Sequence, residues 1–212
     1  MEQILQKLEA FLEKEDKEAA VTYIMELVEQ GSLDVLDLYR HVLTPSLNNM
    51  TCSLEDQRIC IWKEHVRSSI VRTIIECCYP FVIKKQKEQH TPIKGTAIVL
   101  CPPGEYHDIG ARMVADFFTA ASYDTIFVGS NTPYEDFYAA ISYVKPDIIA
   151  ISVSNYYNLV ATHNMVEEIR LIYKEPLRIV VGGQAFINHT NEKLASVGAD
   201  SYVSCYEDIL NL

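Results

Sequence analysis

Three short stretches of this sequence hold residue types from which chemistry can be built. The first is Cys101-Pro-Pro-Gly-Glu-Tyr-His-Asp-Ile-Gly110, in which Glu105 stands two residues before His107 and Gly110 three after it. A histidine with a carboxylate close enough to bond its second ring nitrogen is a prepared metal ligand. The carboxylate fixes the tautomer and raises the basicity of the other nitrogen. Gly110, having no side chain, would let the backbone approach a large planar ligand. The plainer reading is a surface loop with Asp108 as the N-cap of a following helix. The second stretch, Ile151-Ser-Val-Ser-Asn-Tyr-Tyr-Asn158, gathers hydroxyls and amides that either bond a ligand or simply form a turn. The third, Val180-Val-Gly-Gly-Gln-Ala-Phe186, places a glycine pair straight after an apolar run, where a ligand or another backbone must come close. No Walker pattern or G-x-G-x-x-G accompanies them, so nucleotide phosphate binding has little support.

The elements around these stretches divide the chain in two. Residues 2–79 contain one glycine, Gly31, one proline, Pro45, and no β-rich run. Apolar positions recur at i, i+3, i+4 through Ile4–Leu12, Val21–Val28, Leu33–Leu43 and Ile59–Ile74, which predicts four amphipathic helices in a small antiparallel bundle. Gly31 followed by Ser32 reads as the end of the second helix and the N-cap of the third. The helical domain is expected over residues 1–82 and a polar, lysine- and proline-bearing linker over 83–94.

From Gly95 the texture alternates. Apolar strands are predicted at Thr96–Leu100, Thr125–Val128, Ile148–Val153, Ile179–Val181 and Ser201–Val203, with helices at Ile109–Ala121, Tyr134–Val144, Val160–Tyr173 and Asn191–Val197. This is an α/β pattern, and five such units over 95–212 fit a flavodoxin-like doubly wound parallel sheet. Ligands of such sheets sit beyond the carboxyl ends of the strands, where all three stretches fall.

Composition excludes several classes. Acidic residues outnumber basic ones 29 to 18, a net charge of −11, which argues against general nucleic-acid binding. No apolar stretch reaches the roughly 18 residues of a membrane span, and the acid-rich N-terminus is not a signal peptide. A cytoplasmic location follows as an expectation. The six cysteines, at 52, 60, 77, 78, 101 and 205, show no C-x-x-C pair and read as reduced thiols, with adjacent Cys77 and Cys78 as buried packing.

Taken together, Glu105-x-His107-Asp-Ile-Gly110, Ser152-Val-Ser154 and Gly182-Gly183 resemble the D-x-H-x-x-G, S-x-L and G-G series of the cobalamin-binding Rossmann-like domain, over residues 95 to about 207. The helical half is similar to the four-helix cap of that family. Its LTPSLNNM and KEHVRSSIV segments resemble the cap version of light-sensing, DNA-binding cobalamin repressors and their stand-alone relatives.

The resemblance implies cobalamin as cofactor, in its adenosyl, methyl or hydroxo form. It implies His107 as the lower cobalt ligand in place of the cofactor's own dimethylbenzimidazole, with Glu105 at the Asp position, one methylene longer. Ser154 and Asn158 would contact the displaced nucleotide tail, Gly182 and Gly183 would line its tunnel, and Gly104 and Gly110 would shape the loop under the corrin. Tyr106, Asp108, Ile109, Ser152, Tyr156, Gln184 and Phe186 belong to the same loops and join the cofactor-contact set. Glu64-His65 matches the E-H pair that faces the upper side of the corrin. Leu54 and Glu55 stand where the repressors carry a Trp and a His. Trp62 reads as a core residue of the fourth helix or as an upper-face neighbour. His41, His90, His163 and His189 have no convergent partners.

Three functions compete. The first is a sensory or light-responsive module acting on a separate protein partner, favoured by the cap wording. The second is a corrinoid methyl carrier serving a methyltransferase. The third is a flavodoxin-like scaffold whose loops bind nothing. No helix-turn-helix precedes the cap, so direct DNA binding by that route is not expected.

Overall fold

A computed structural model describes residues 1–52, 54–188 and 190–212, and divides into two compact units, Met1–Lys85 and Gln86–Leu212. The first unit is helical. α1 (Glu2–Glu13) and α2 (Lys17–Glu29) pack against each other, and Asp16 starts α2 by accepting the Ala19 N–H at 3.0 Å. Gly31 follows α2 with a φ of +70°, as a C-terminal glycine should. The next N-cap is Asp34, not Ser32; its carboxylate accepts the Leu36 N–H at 2.9 Å. The third helical segment is broken into α3 (Val35–Leu38), a wider π-turn (Tyr39–Leu43) and α4 (Thr44–Asn48).

α5 runs from Gln57 to Glu88, passing through Pro80 and taking in the first half of the expected linker. A proline costs the helix one hydrogen bond, but the buried stripe of Ile70, Ile74, Cys78 and Val82 continues across it and keeps the helix packed. The thiol reading needs correction too. Cys52 and Cys60 form a disulfide, their Cα atoms 5.5 Å apart, because the segment after α4 folds back onto the first turn of α5. Cys78 is buried as expected, whereas Cys77 is exposed.

The second unit is the doubly wound α/β fold. Five parallel strands, β1 (Thr96–Leu100), β2 (Asp124–Gly129), β3 (Ile148–Ser152), β4 (Arg178–Gly182) and β5 (Ser201–Tyr202), lie in the order β2-β1-β3-β4-β5. The helices between them are α6 (Ile109–Ala120), α7 (Tyr134–Val144), α8 (Leu159–Ile172) and α9 (Thr190–Val197), with α10 (Tyr206–Leu210) last. β3 is buried along its whole length, which is why its sequence is an unbroken apolar run. One core gathers Ile98, Leu100, Ile149, Ile151, Ile179 and Val181 from the sheet with Ile141, Met165, Val166 and Ile169 from the helices. Strand order reverses between β1 and β3, so the loops after these two strands flank the crevice where such sheets bind ligands. Among the described residues no helix is long and apolar enough to cross a membrane.

Candidate functional site

The loop after β1 turns on Pro102, whose carbonyl accepts the Glu105 N–H at 3.1 Å, and on Gly104, whose φ of +75° suits a residue without Cβ. This turn drives Glu105 inward. Its side chain is 0% exposed, yet five hydrogen bonds converge on it. Oε1 accepts the His107 backbone N–H at 3.1 Å and lies 2.6 Å from His107 Nδ1. Oε2 accepts the backbone N–H groups of Ser154 at 2.9 Å and Asn155 at 2.8 Å, and Nδ2 of Asn158 at 3.0 Å. Burial alone would raise the Glu105 pKa. Donation from Asn155, Asn158 and His107 outweighs it and holds the carboxyl down at about 2, so the group is a carboxylate.

An ionised carboxylate has no proton to give, so His107 Nδ1 carries the hydrogen and donates it to Glu105. In the neutral ring the lone pair is thereby left on Nε2, on a side chain that is 65% exposed. His107 is an imidazole with a fixed tautomer and an open ligating nitrogen. Cys101, buried below the same loop, is no rival ligand. Burial, reinforced by the charges of Asp108 and Glu105, pushes its thiol up to about 12.

The structure brings the first two stretches together through this carboxylate and places other expected residues differently. Asp108 occupies the N-cap position of α6 but makes no side-chain cap bond; its carboxylate accepts from Ser130 Oγ at 3.2 Å, tying the loop to the end of β2. The Ser154 backbone N–H and the Asn158 side-chain amide are committed to Glu105. Ser152 closes β3 and is buried. Phe186 is 0% exposed and packs in the core against Tyr202, so it supports the third stretch from beneath and does not line a surface. Ile109 is half-buried, and Gln184 is the one exposed residue of the 3₁₀ turn Gln184–Phe186. Tyr106, Tyr156 and Gly110 are exposed, and a Cβ on Gly110 would meet nothing within 4 Å, so the helix surface at Gly110 is open.

The glycine pair serves the chain itself. A Cβ on Gly182 would come 2.7 Å from the Val203 carbonyl oxygen, and one on Gly183, at a φ of +101°, 2.4 Å from that of Val153. A valine at either position would therefore disturb the fold, and of the two readings of the pair, a ligand or another backbone close by, these contacts supply the backbone. Asn155 escaped the sequence reading. Its side chain accepts the Tyr157 N–H at 3.0 Å and shapes the turn that aims two N–H groups at Glu105, and an Asn at a strand end was the available signal.

In the helical unit, Trp62 is 67% exposed, which overturns its reading as a core residue. Leu54, Glu64 and His65 are also exposed, and the Glu64 carbonyl accepts Ser68 Oγ at 2.6 Å. His189 lies outside the described residues.

The donor set suits a metal already held by its own macrocycle. His107 offers one borderline nitrogen ligand, with a carboxylate behind it. Among the described residues no group of three or more His, Cys, Asp or Glu gathers as a cage for a free ion. A family model for the B12 binding domain matches residues 95–208, more than half the chain.

The chain belongs to the B12 binding domain family. Its cofactor is cobalamin. This B12-binding chain is similar to trimethylamine corrinoid protein 1 of Methanosarcina acetivorans, 23% identical over 211 residues, covering 99% of this chain and 95% of that one. It is also similar to the HTH-type transcriptional repressor CarA of Myxococcus xanthus, 23% identical over 187 residues, covering 85% of this chain and 58% of the repressor. The fold matches the solved structure of Methanosarcina barkeri monomethylamine corrinoid protein with a TM-score of 0.80 at 16% identity, over 99% of this chain and 96% of the other.

Proposed function

We propose that this protein is the corrinoid methyl carrier of a methyltransferase system, holding cobalamin with His107 as lower ligand and the nucleotide tail displaced. The observation that carries this reading is the extent of the match. Proteins named as methylamine corrinoid proteins match over 99% of this chain and nearly all of their own length, whereas the repressor matches over little more than half of its own. The sensory reading drawn from the cap wording has less behind it.

The chemistry that the corrinoid supplies when bound is reversible carriage of a methyl group at cobalt. The chain's own contribution is to hold the lower ligand. Glu105 keeps the proton on His107 Nδ1, and five hydrogen bonds fix the carboxylate so that Nε2 is presented without rearrangement. Exposed Tyr106 and Tyr156 and the bare Gly110 offer a surface against which a flat macrocycle packs. The implied protein partner is a methyltransferase.

Two measurements test the reading. The protein reconstituted with hydroxocobalamin should show a base-off, imidazole-ligated spectrum that His107→Ala loses, with at least roughly tenfold weaker binding. An unchanged spectrum and affinity in the variant would remove His107 as the ligand. The protein loaded with isotopically labelled methylcobalamin should pass its label in the dark to a thiol or tetrahydrofolate methyltransferase system. A light-driven change of oligomeric state without methyl transfer would restore the sensor.

A further inference from the structure

We propose that Lys193 is the cation of an anion subsite for the phosphodiester of the cofactor's nucleotide tail, so that the chain selects complete cobalamins over corrinoids lacking the nucleotide. The inference rests on the displaced-tail reading above and adds to it the residue that recognises the tail's one charge.

Lys193 lies in the first half of α9 and is half-buried. Its ammonium turns back over the loop after β4, donating to the carbonyls of Ala185 at 2.8 Å and Ile187 at 3.0 Å. It also lies 5.5 Å over the ring of Tyr156, which belongs to the loop after β3. One cation thus spans the two strand-end loops beside the glycine pair. An ammonium has three donors and these carbonyls take two. No carboxylate among the described residues forms an ion pair with it, so its charge is not cancelled locally.

Position makes this cation unusual. The other described Lys and Arg residues of the second unit lie elsewhere. Lys87 is in the last turn of α5, and Lys94, Lys145, Lys174 and Arg178 precede or begin strands at the amino edge of the sheet. Arg170 reaches Asp200 just before β5, and Arg112 is in a buried ion pair with Asp116. In a chain of net charge −11, a monoanionic phosphodiester arriving at the carboxyl edge meets repulsion on average, and Lys193 is the group placed to reverse it locally. A lysine serves phosphate as a point charge, without the bidentate geometry that arginine requires.

The test compares cobalamin with cobinamide, which has the corrin but lacks the nucleotide. Affinities of wild type, Lys193→Met and Lys193→Arg are measured for both, with thermal midpoints of each apo protein. A lost charge-assisted hydrogen bond should weaken cobalamin binding by roughly tenfold to a hundredfold in Lys193→Met while leaving cobinamide within about twofold. Lys193→Arg should restore most of the preference. Equal weakening of both corrinoids would show that Lys193 only latches the loop, and would overturn the subsite, as would a wild type that does not distinguish the two. The wild-type cobalamin spectrum separates the two levels of the claim. A base-on spectrum fails the displaced-tail reading, whereas a base-off spectrum with no Lys193 selectivity fails the subsite alone.

Discussion

The end of β3 is joined to its neighbours in two ways. On the β1 side, the Glu105 side chain reaches across and accepts from Ser154, Asn155 and Asn158. On the β4 side, backbone meets backbone. The Val153 N–H donates to Gly182 at 2.9 Å, the Ala185 N–H donates to Val153 at 3.1 Å, and Gly183 leaves no room for a Cβ against Val153, as Gly182 leaves none against Val203 on its other side. The first junction is a charge satisfied by donors, and it also sets the tautomer of a metal ligand. The second is steric, and admits only glycine. A side-chain junction can be tuned by pH or by an isosteric change, whereas a backbone junction either closes or does not.

The largest effect should come from the steric side. Gly183→Val combines a left-handed backbone with overpacking against Val153 and should cost roughly 2–6 kcal/mol in chemical denaturation. Gly182→Val, whose backbone is not left-handed, should cost less. A stable Gly183→Val protein would mean that the β4 junction yields more easily than its geometry implies.

Next comes the charge. In Glu105→Gln one carboxylate oxygen becomes an NH₂ that faces donors, and roughly 1.5–3 kcal/mol should be lost. The pH dependence sharpens the contrast. Glu105 is held at about 2 against an ordinary 4.5. Its depressed value means that the unfolded chain takes up the proton first, so its contribution is full above 4.5 and is lost as pH falls toward 2. In the metal-free protein Glu105→Gln should flatten the stability profile in that window, while Gly182→Val should keep the wild-type slope. Equal slopes in wild type and Glu105→Gln would mean that the carboxylate is not the titrating anchor.

Smaller still is Asn158→Ala. It removes one donor from Oε2 but leaves those of Ser154 and Asn155, for a loss of about 1 kcal/mol by the same denaturation measurement. A loss as large as that of Glu105→Gln would make the amide, not the two backbone groups, the principal clamp. The smallest effect lies outside both junctions. Trp62 is so exposed that Trp62→Ala should change stability by no more than about 0.5 kcal/mol, and a larger loss would return it to the core.

Much of the α/β unit was legible because its signals are local. The expected bounds of Tyr134–Val144 match α7, where Pro133 precedes the helix and Lys145 ends it in a left-handed conformation. The buried strands announce themselves as apolar runs, and each observed strand lies within about two residues of its expected place. The helical unit was harder. Pro80 reads as a breaker, yet α5 crosses it because its buried stripe does not stop there. The tryptophan reads as core by its type, but burial depends on whether another element covers that face of α5. Cys52 and Cys60 carry no motif, and pair because a loop folds back.

By itself the sequence determined the alternation of strand and helix, and with it the edge of the sheet where Glu105, His107 and the glycine pair must gather, since hydrophobic period and strand-end position are properties of neighbours along the chain. It also placed a carboxylate two residues from a histidine, near enough to bond it in almost any turn. Only the tertiary structure decided what else that carboxylate would bind. Its other three donors come from residues 49, 50 and 53 positions away, and the carbonyls that forbid a Cβ at Gly182 and Gly183 belong to Val203 and Val153. Whether a buried charge is satisfied, and whether a glycine meets open space or another backbone, depends on which distant segments the sheet order brings alongside.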